Sequence, residues 1–340
     1  MTIDQIKEKL NEPQYDFLRT NELIKDRLIF LTLGGSHAYG TNIDTSDVDI
    51  RGCAFNRASD LIGLSGFEQF VNEETDTTIY AFNKLIHLLS SCNPNTIEML
   101  GCKPEHYIVM SETGKQMIEN RRIFLSQRAV DSFGGYATQQ LRRLENALAR
   151  GSMEQERKEE HIKNSMERAV RAFESKYTSF DRGSIILYTD ESERPELDRE
   201  VFCNINISHY PARELCGMLN EMSNIIKDYD KLNGRNKKKD DAHLNKHAMH
   251  LIRLYMMCLD ILEREEICTY REKERDFLLD IRSGKYQAED GTYRAEFFEM
   301  IDAFEKQLDY AKRNTSLPKS PDYHRIEEFM MSVNRRVVCG

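Results

Sequence analysis

Apolar and polar positions follow two different rhythms along this chain, and the change comes near Ser126. Leu28 to Leu33 (LIFLTL) is a continuous apolar run stopped by Gly34-Gly35, the pattern of a buried strand ending in a tight turn. Val48, Ile50 and Gly52 alternate with Asp47, Asp49 and Arg51, which predicts a strand with one apolar and one charged face. Phe67 to Val71 and Thr77 to Phe82 read as two more strands, joined by the acidic turn NEETD. Lys84 to Ser91 reads as a helix. Asn93-Pro94-Asn95 breaks it, with Asn95 placed to cap a short helix through Leu100, and His106 to Met110 reads as a further strand.

Beyond Ser126 the spacing is helical. Helices are predicted over Ala129 to Arg150, Glu156 to Tyr177, Ala212 to Leu232, Asp241 to Glu263, Tyr270 to Ser283, Arg294 to Arg313 and Tyr323 to Asn334. Within Asp241 to Glu263, for example, Leu251, Leu254, Met257, Cys258 and Ile261 recur at three- and four-residue steps. Ile185 to Tyr188 and Val201 to Ile207 are weaker strand-like pieces. The expected architecture is α+β: a mixed β-sheet domain over residues 1–125, then a mostly α-helical domain over 126–340.

Composition adds limits. With 340 residues, 40% hydrophobic and 31% charged, the chain has the profile of a soluble globular protein of two domains. No apolar run approaches the ~18 residues a membrane span needs, so no membrane partner is expected. The opening MTIDQIKEKLNEP lacks an apolar core and is not expected to be a secretory leader. The eight cysteines form no CxxC pair and read as free thiols in a reducing cytoplasm, the expected location. A net charge of −9 argues against a purely electrostatic nucleic-acid coat. The basic run Arg235-Asn236-Lys237-Lys238-Lys239 lies among aspartates and reads as a solvated loop.

The stretch that changes the picture is LTLGGSHAYGTNIDTSDVDIRG, Leu31 to Gly52. Asp47 and Asp49 lie two apart on an extended segment, so both carboxylates leave one face, with Cα atoms roughly 6.5 Å apart at ~3.3 Å per residue. Bare carboxylates at about 6 Å repel by ~2–3 kcal/mol at an effective dielectric near 20. A divalent cation reverses that sign, and magnesium favours one or two carboxylates plus phosphate oxygens. Two such ions ~3.5–4 Å apart can clamp the attacking and leaving oxygens of an in-line displacement. Gly34, Gly35 and Ser36 offer close backbone approach, free N–H groups and a hydroxyl to anionic oxygens. A helical turn over Ser36 to Tyr39 would add its N-terminus. The third carboxylate of such a site is expected from a neighbouring strand. Asp76 fits best, and Glu74 and Glu73 remain alternatives because a one-residue slip reverses strand faces. The competing reading is a hairpin with a solvated acidic face.

At these residues the chain resembles the DNA polymerase beta superfamily of nucleotidyltransferases: Gly35-Ser36, a gap, Asp47-Val48-Asp49, then Asp76. GGSHAYGTNIDTSDVDIRG, the segment from Asp76 through Tyr80 and Lys84 to NPNTIEML, and FGGYATQQLRRL, KHAMHLIRL and LLDIRSGKY are similar to the RNA repair pathway branch of that superfamily. The resemblance implies a nucleotidyltransferase-type sheet domain. It implies that Asp47 and Asp49 bind metal, that Asp76 binds one metal and assists the nucleophile, and that Gly35 and Ser36 hold a triphosphate. It also implies RNA ligases as companions. His37 stands where Arg is often expected.

Other positions carry weaker expectations. Lys246, His250 and Arg253 share one helix face and read either as a cationic wall for a nucleotide or as a solvated face. His247 and His250 lack a third ligand for zinc. Lys84 is a candidate phosphate contact, Tyr39 a candidate wall of a sugar pocket, Glu98 a support behind the site, and Tyr136 with Gln140 a candidate base contact or core. The expected function is transfer of NMP from an NTP, ATP among them, to an acceptor hydroxyl. Two Mg2+ ions, or Mn2+ in their place, would serve as cofactors, with an RNA end in RNA repair as acceptor. The alternatives are a protein or small-molecule acceptor, or a non-catalytic nucleotide-binding subunit of an RNA ligase complex.

Overall fold

The computed structural model describes residues 1–152, 155–176, 183–194, 197–208, 211–233, 241–288 and 292–340. The basic run Arg235 to Lys239 lies outside them. The chain forms two compact units, one of residues 1–139, 248–287 and 293–340, the other of 140–247 and 288–292. This division differs from a single cut near residue 125, because the last third of the chain returns to the first unit.

The first unit is built on a five-stranded mixed sheet in the order β3-β4-β2-β1-β5. Its strands are β1 (Leu28–Leu33), β2 (Ile50–Ala54), β3 (Gln69–Asn72), β4 (Thr77–Ala81) and β5 (Tyr107–Met110). β1 is antiparallel to β2 and β5, β2 is parallel to β4, and β4 is antiparallel to β3. The apolar run of β1 suits its interior place, paired on both sides, since Ile29, Phe30, Leu31 and Leu33 are all at most 2% exposed. β4 alternates in burial, with Thr77, Ile79 and Ala81 inside and Thr78 and Tyr80 on the more open face.

Helices α1 (Ile3–Lys9), α2 (Phe17–Thr20), α3 (Gly35–Tyr39), α4 (Ala58–Ile62), α5 (Phe82–Ser90), α6 (Pro94–Ile97) and α7 (Glu112–Glu119) belong to this unit. So does the start of α8 (Arg128–Ser152). The second unit carries α9 (Gln155–Lys176), β6 (Ile185–Glu191), β7 (Arg199–Ile205) and α10 (Ala212–Asn233). Its hairpin pairs Ile185 with Ile205 and packs Ile185 and Leu187 against Ile162, Met166, Val170, Met218 and Met222. α11 (Asp241–Arg264) starts in the second unit and ends in the first, where α12 (Arg275–Arg282), α13 (Ala295–Asn314) and α14 (Tyr323–Cys339) follow. Among the described residues, no helix is long and apolar enough to cross a membrane. All eight cysteines are free thiols.

The α+β class and the strand order of elements follow the hydrophobic pattern, but several local details differ. β2 starts at Ile50, so Asp47 and Asp49 lie in the extended segment that leads into it. The pairing still reaches one rung further, because Gly34 N–H donates to the Asp49 carbonyl at 2.8 Å. Asn93, not Asn95, caps α6: its side chain accepts from Asn95 N–H, and Pro94 takes the first helical position, where its missing N–H costs nothing. The helix expected over Tyr270 to Ser283 is only Arg275–Arg282. The residues before it are irregular chain and turn, held by Thr269 N–H donating to the Gly101 carbonyl and Arg271 N–H to the Tyr39 carbonyl.

Candidate functional site

The site forms where β1 ends and β2 begins. Gly34 leaves β1 in extended conformation and precedes α3. Gly35 then takes φ +53, a region L side chains rarely adopt. A Cβ on Gly35 would fall 1.6 Å from Asp49 Oδ2, and one on Gly34 would fall 2.8 Å from Arg51 Cγ. The Asp49 carboxylate is therefore seated directly on the glycine turn, beside Ser36. The turn requires glycine for two reasons at once, dihedral and space.

Burial sorts the two acids from the residue between them. Val48 is 5% exposed, Asp49 is half-buried and Asp47 is exposed. The alternation puts Asp47, Asp49 and Arg51 on one side of the strand line. β2 and β4 are in parallel register with Ile50 beside Thr77. Asp49 and Asp76 are the residues that immediately precede this first paired rung.

Asp76 does not start as a regular strand residue. It closes the β3–β4 turn at φ +42, and its carbonyl accepts from Ile50 N–H at 3.2 Å. Arg51 grips it twice, with Nη1 on the Asp76 carbonyl at 2.5 Å and Nη2 on Oδ1 at 3.1 Å. That pair is partly exposed, 23% for the arginine and 60% for the aspartate, so its net worth is about 0–1 kcal/mol. Among the described residues, no three His, Cys, Asp or Glu side chains are drawn together closely enough to hold a metal ion as they stand. The third acid of the candidate set is engaged by an arginine.

Behind the turn lies a buried polar cluster. The Tyr39 hydroxyl donates to Glu98 Oε1 at 2.8 Å. Arg253 Nη1 donates to Glu98 Oε2 at 3.1 Å, and its guanidinium lies 3.6 Å over the Tyr39 ring. His250 meets the same ring edge-on, with centroids 5.8 Å apart. Glu98 and Arg253 are almost fully buried, 10% and 5% exposed at their side chains. Burial pushes the Tyr39 hydroxyl far above its ordinary range, and Arg253 only partly opposes this. The Tyr80 hydroxyl on β4 is also raised by burial, with Arg51 opposing and Tyr136 and Glu98 adding.

The candidate residues thus divide. Gly34, Gly35, Ser36, Asp47, Asp49 and Asp76 gather at one end of the sheet. Tyr39, His250 and Arg253 gather with Glu98 behind it, so the charge of Arg253 is spent on a carboxylate rather than presented as a cationic wall. His37 is buried at 6% exposure, with Nε2 unpaired, and burial holds its pKa below the ordinary 6.5 while the Ser46 backbone partly opposes. Lys84 pairs with Glu68 at 3.1 Å on the surface of the same unit. Lys246 is exposed and belongs to the second unit, where His247 bonds Gln140 at 3.0 Å. Tyr136 is half-buried and its hydroxyl accepts from Asn95 at 3.3 Å.

Arg51, Arg271 and Arg282 were missed by the sequence reading. Arg51 had a signal, its place two residues after Asp49 on the charged side of the alternation. Arg282 reaches from α12 to the Thr41 carbonyl and to the Ser46 hydroxyl at 3.3 Å, and so holds the loop that leads to Asp47. Nothing local marks such a contact across more than two hundred residues.

The sequence pattern of the RNA repair pathway DNA polymerase beta family matches residues 4–178, just over half of the chain. No curated protein and no solved structure matches the chain. The chain belongs to the RNA repair pathway DNA polymerase beta family, and that membership points to nucleotidyl transfer as the class of reaction.

Proposed function

We propose that this chain transfers a nucleoside monophosphate from an NTP to an acceptor hydroxyl, and that the acceptor is an RNA end. The observation that supports it most is the Asp49 carboxylate seated on the Gly34-Gly35 turn, with Asp47 on the same side and Asp76 in the turn just before the neighbouring strand β4. An anion cradle beside a set of hard oxygen donors is what metal-dependent phosphoryl transfer needs.

The donor set fits magnesium. Asp47 and Asp49 offer carboxylate oxygens without competing nitrogen or sulfur, and Asp76 already holds one cation, the Arg51 guanidinium. Asp47, Asp49 and Asp76 would hold the metal, Asp76 on exchanging Arg51. When bound, magnesium supplies charge neutralisation on the phosphates and the leaving pyrophosphate. The chain's own residues do the rest. The N–H groups of the glycine turn and the Ser36 hydroxyl receive the triphosphate oxygens, α3 orients them, and Asp76 takes the proton of the acceptor hydroxyl. Arg51, once released from Asp76, faces the triphosphate. Glu98 and Arg253 hold α3 through Tyr39 and so keep Ser36 in place, which is worth much where small displacements cost large factors in rate.

The test uses labelled NTPs with RNA and, in parallel, with protein and small-molecule hydroxyl acceptors. Label is expected on RNA with pyrophosphate released, and it should vanish in Asp47→Ala/Asp49→Ala while the circular dichroism spectrum is unchanged. Label on protein alone would remove RNA as the acceptor, and unchanged transfer in the double variant would remove the site.

A further inference from the structure

At the end of the sheet opposite the glycine turn lies an open cavity of about 410 Å3. β1 and β2 run antiparallel, so that end is framed by the residue before β1 and the residues after β2. Arg27 and Phe55, Arg57 beside them, Thr113 in the first turn of α7, and Val333 and Arg336 of α14 line the cavity. It lies roughly 20 Å from Gly34, taking ~3.3 Å per strand residue. Its size falls within the range of small-molecule sites, roughly 300–1,000 Å3.

The walls are fixed before any ligand arrives. Phe55 N–H donates to the Arg27 carbonyl at 2.9 Å, which locks the two strand ends together. Arg57 spends Nε and Nη2 on Asp60, leaving Nη1 uncommitted to it. That grip, with burial opposing, holds the Asp60 carboxyl down to about 2, so the pair stays charged. α14 is tied to α5 through Asn334 and Asn83 at 3.0 Å. Among the described residues, neither Arg27 nor Arg336 has a carboxylate partner.

The charge count selects the ligand. Three arginines, Arg27, Arg57 and Arg336, line the cavity and Asp60 compensates one of them, which leaves two positive charges. A phosphomonoester carries about −1.5 to −2 at neutral pH and offers three acceptor oxygens. Arginine forks match that geometry better than they match a point charge. Phe55 and Val337, both partly exposed, give the remaining wall an apolar surface for the body of such a molecule. We propose that this cavity is a second, non-catalytic binding site for a phosphomonoester of mononucleotide size. Arg27, Arg57 and Arg336 hold its phosphate, and Phe55 and Val337 meet its body.

The experiment is calorimetric titration of the full chain with AMP, adenosine and inorganic phosphate in EDTA, so that the acidic site contributes nothing through metal. AMP is expected to bind at one site, adenosine not measurably, and phosphate about tenfold more weakly than AMP. Asp47→Asn/Asp49→Asn should keep the AMP affinity. Arg27→Gln/Arg336→Gln should weaken it at least about tenfold, since two charge-assisted contacts are lost. Should the double variant unfold, Arg336→Gln alone, at an exposed position on α14, should still weaken it about threefold or more. No saturable AMP binding, loss of binding in the aspartate variant, or unchanged binding in the arginine variants would each overturn the site. Adenosine binding as well as AMP would overturn the role of the phosphate, and phosphate binding as tightly as AMP would overturn the role of the apolar wall.

Discussion

Two arginine–carboxylate pairs flank the glycine turn, and they differ in almost every physical respect. Arg51 and Asp76 meet at 3.1 Å in partial solvent, and the aspartate is 60% exposed. Arg253 and Glu98 meet at the same 3.1 Å but are nearly sealed, and Tyr39 closes the pair from above. Equal distances therefore hide unequal energies. The exposed pair is worth about 0–1 kcal/mol and can be exchanged for another cation. Removing one partner of the buried pair leaves an uncompensated charge in the interior and costs about 3–5 kcal/mol. In the proposed mechanism the first pair belongs to the chemistry and the second to the scaffold that aims it.

The contrast is open to direct attack. Arg253→Ala should lower the unfolding free energy in urea by about 3–5 kcal/mol, and a loss below about 1 kcal/mol would erase the distinction. Gly35→Ala comes next. A methyl group there meets Asp49 Oδ2 at 1.6 Å and forces alanine into φ +53. Stability should fall by about 1–2 kcal/mol, while transfer to the acceptor should fall on the order of 100-fold as the carboxylate is pushed off the turn. A Gly35→Ala protein of normal activity would mean that Asp49 does not work from this seat. Arg51→Gln should shift the unfolding free energy by less than about 1 kcal/mol. It should also lower the magnesium concentration for half-maximal transfer, because Asp76 loses its competing cation. A raised magnesium concentration for half-maximal transfer would place Arg51 among the metal's supports instead.

The smallest effect concerns pH. Burial lowers the His37 pKa in the folded chain below its ordinary 6.5, so the unfolded chain binds the proton more readily. The stability this contributes is fully present above about 6.5 and is lost as pH falls below that value toward the folded pKa. Urea midpoints measured from pH 7.5 downward should decline more steeply in the parent than in His37→Gln. Identical slopes would show that His37 does not report on the core behind the turn.

What the sequence revealed follows from how far each feature reaches. The strand Leu28–Leu33, the glycine turn and the alternation through Asp47, Asp49 and Arg51 are local patterns, and the structure keeps all three. The boundary of β2 was read too early because an extended chain and a paired strand share one alternation, and only the partner decides where pairing begins. The cap of α6 was misplaced by two residues because two asparagines flank one proline, and the proline settles which of them precedes the helix. The Glu98–Arg253 pair spans 155 positions, and the bond from Arg282 to Thr41 spans 241. No periodicity announces them. The segments KHAMHLIRL and LLDIRSGKY were visible as family likeness, and the structure gives them work: they carry Arg253 and Arg282.

The clamp from Arg282 to Thr41 and Ser46 bears on how this chain can be dissected. A fragment ending at residue 178, the limit of the family pattern, would retain the glycine turn, Asp47, Asp49 and Asp76. It would shed Arg253, Arg271 and Arg282, the three arginines that steady Tyr39 and the loop beyond it. The candidate reactive groups and the arginines that hold their surroundings are thus encoded some two hundred residues apart. Neither set can be inherited, trimmed or grafted as a working part by itself.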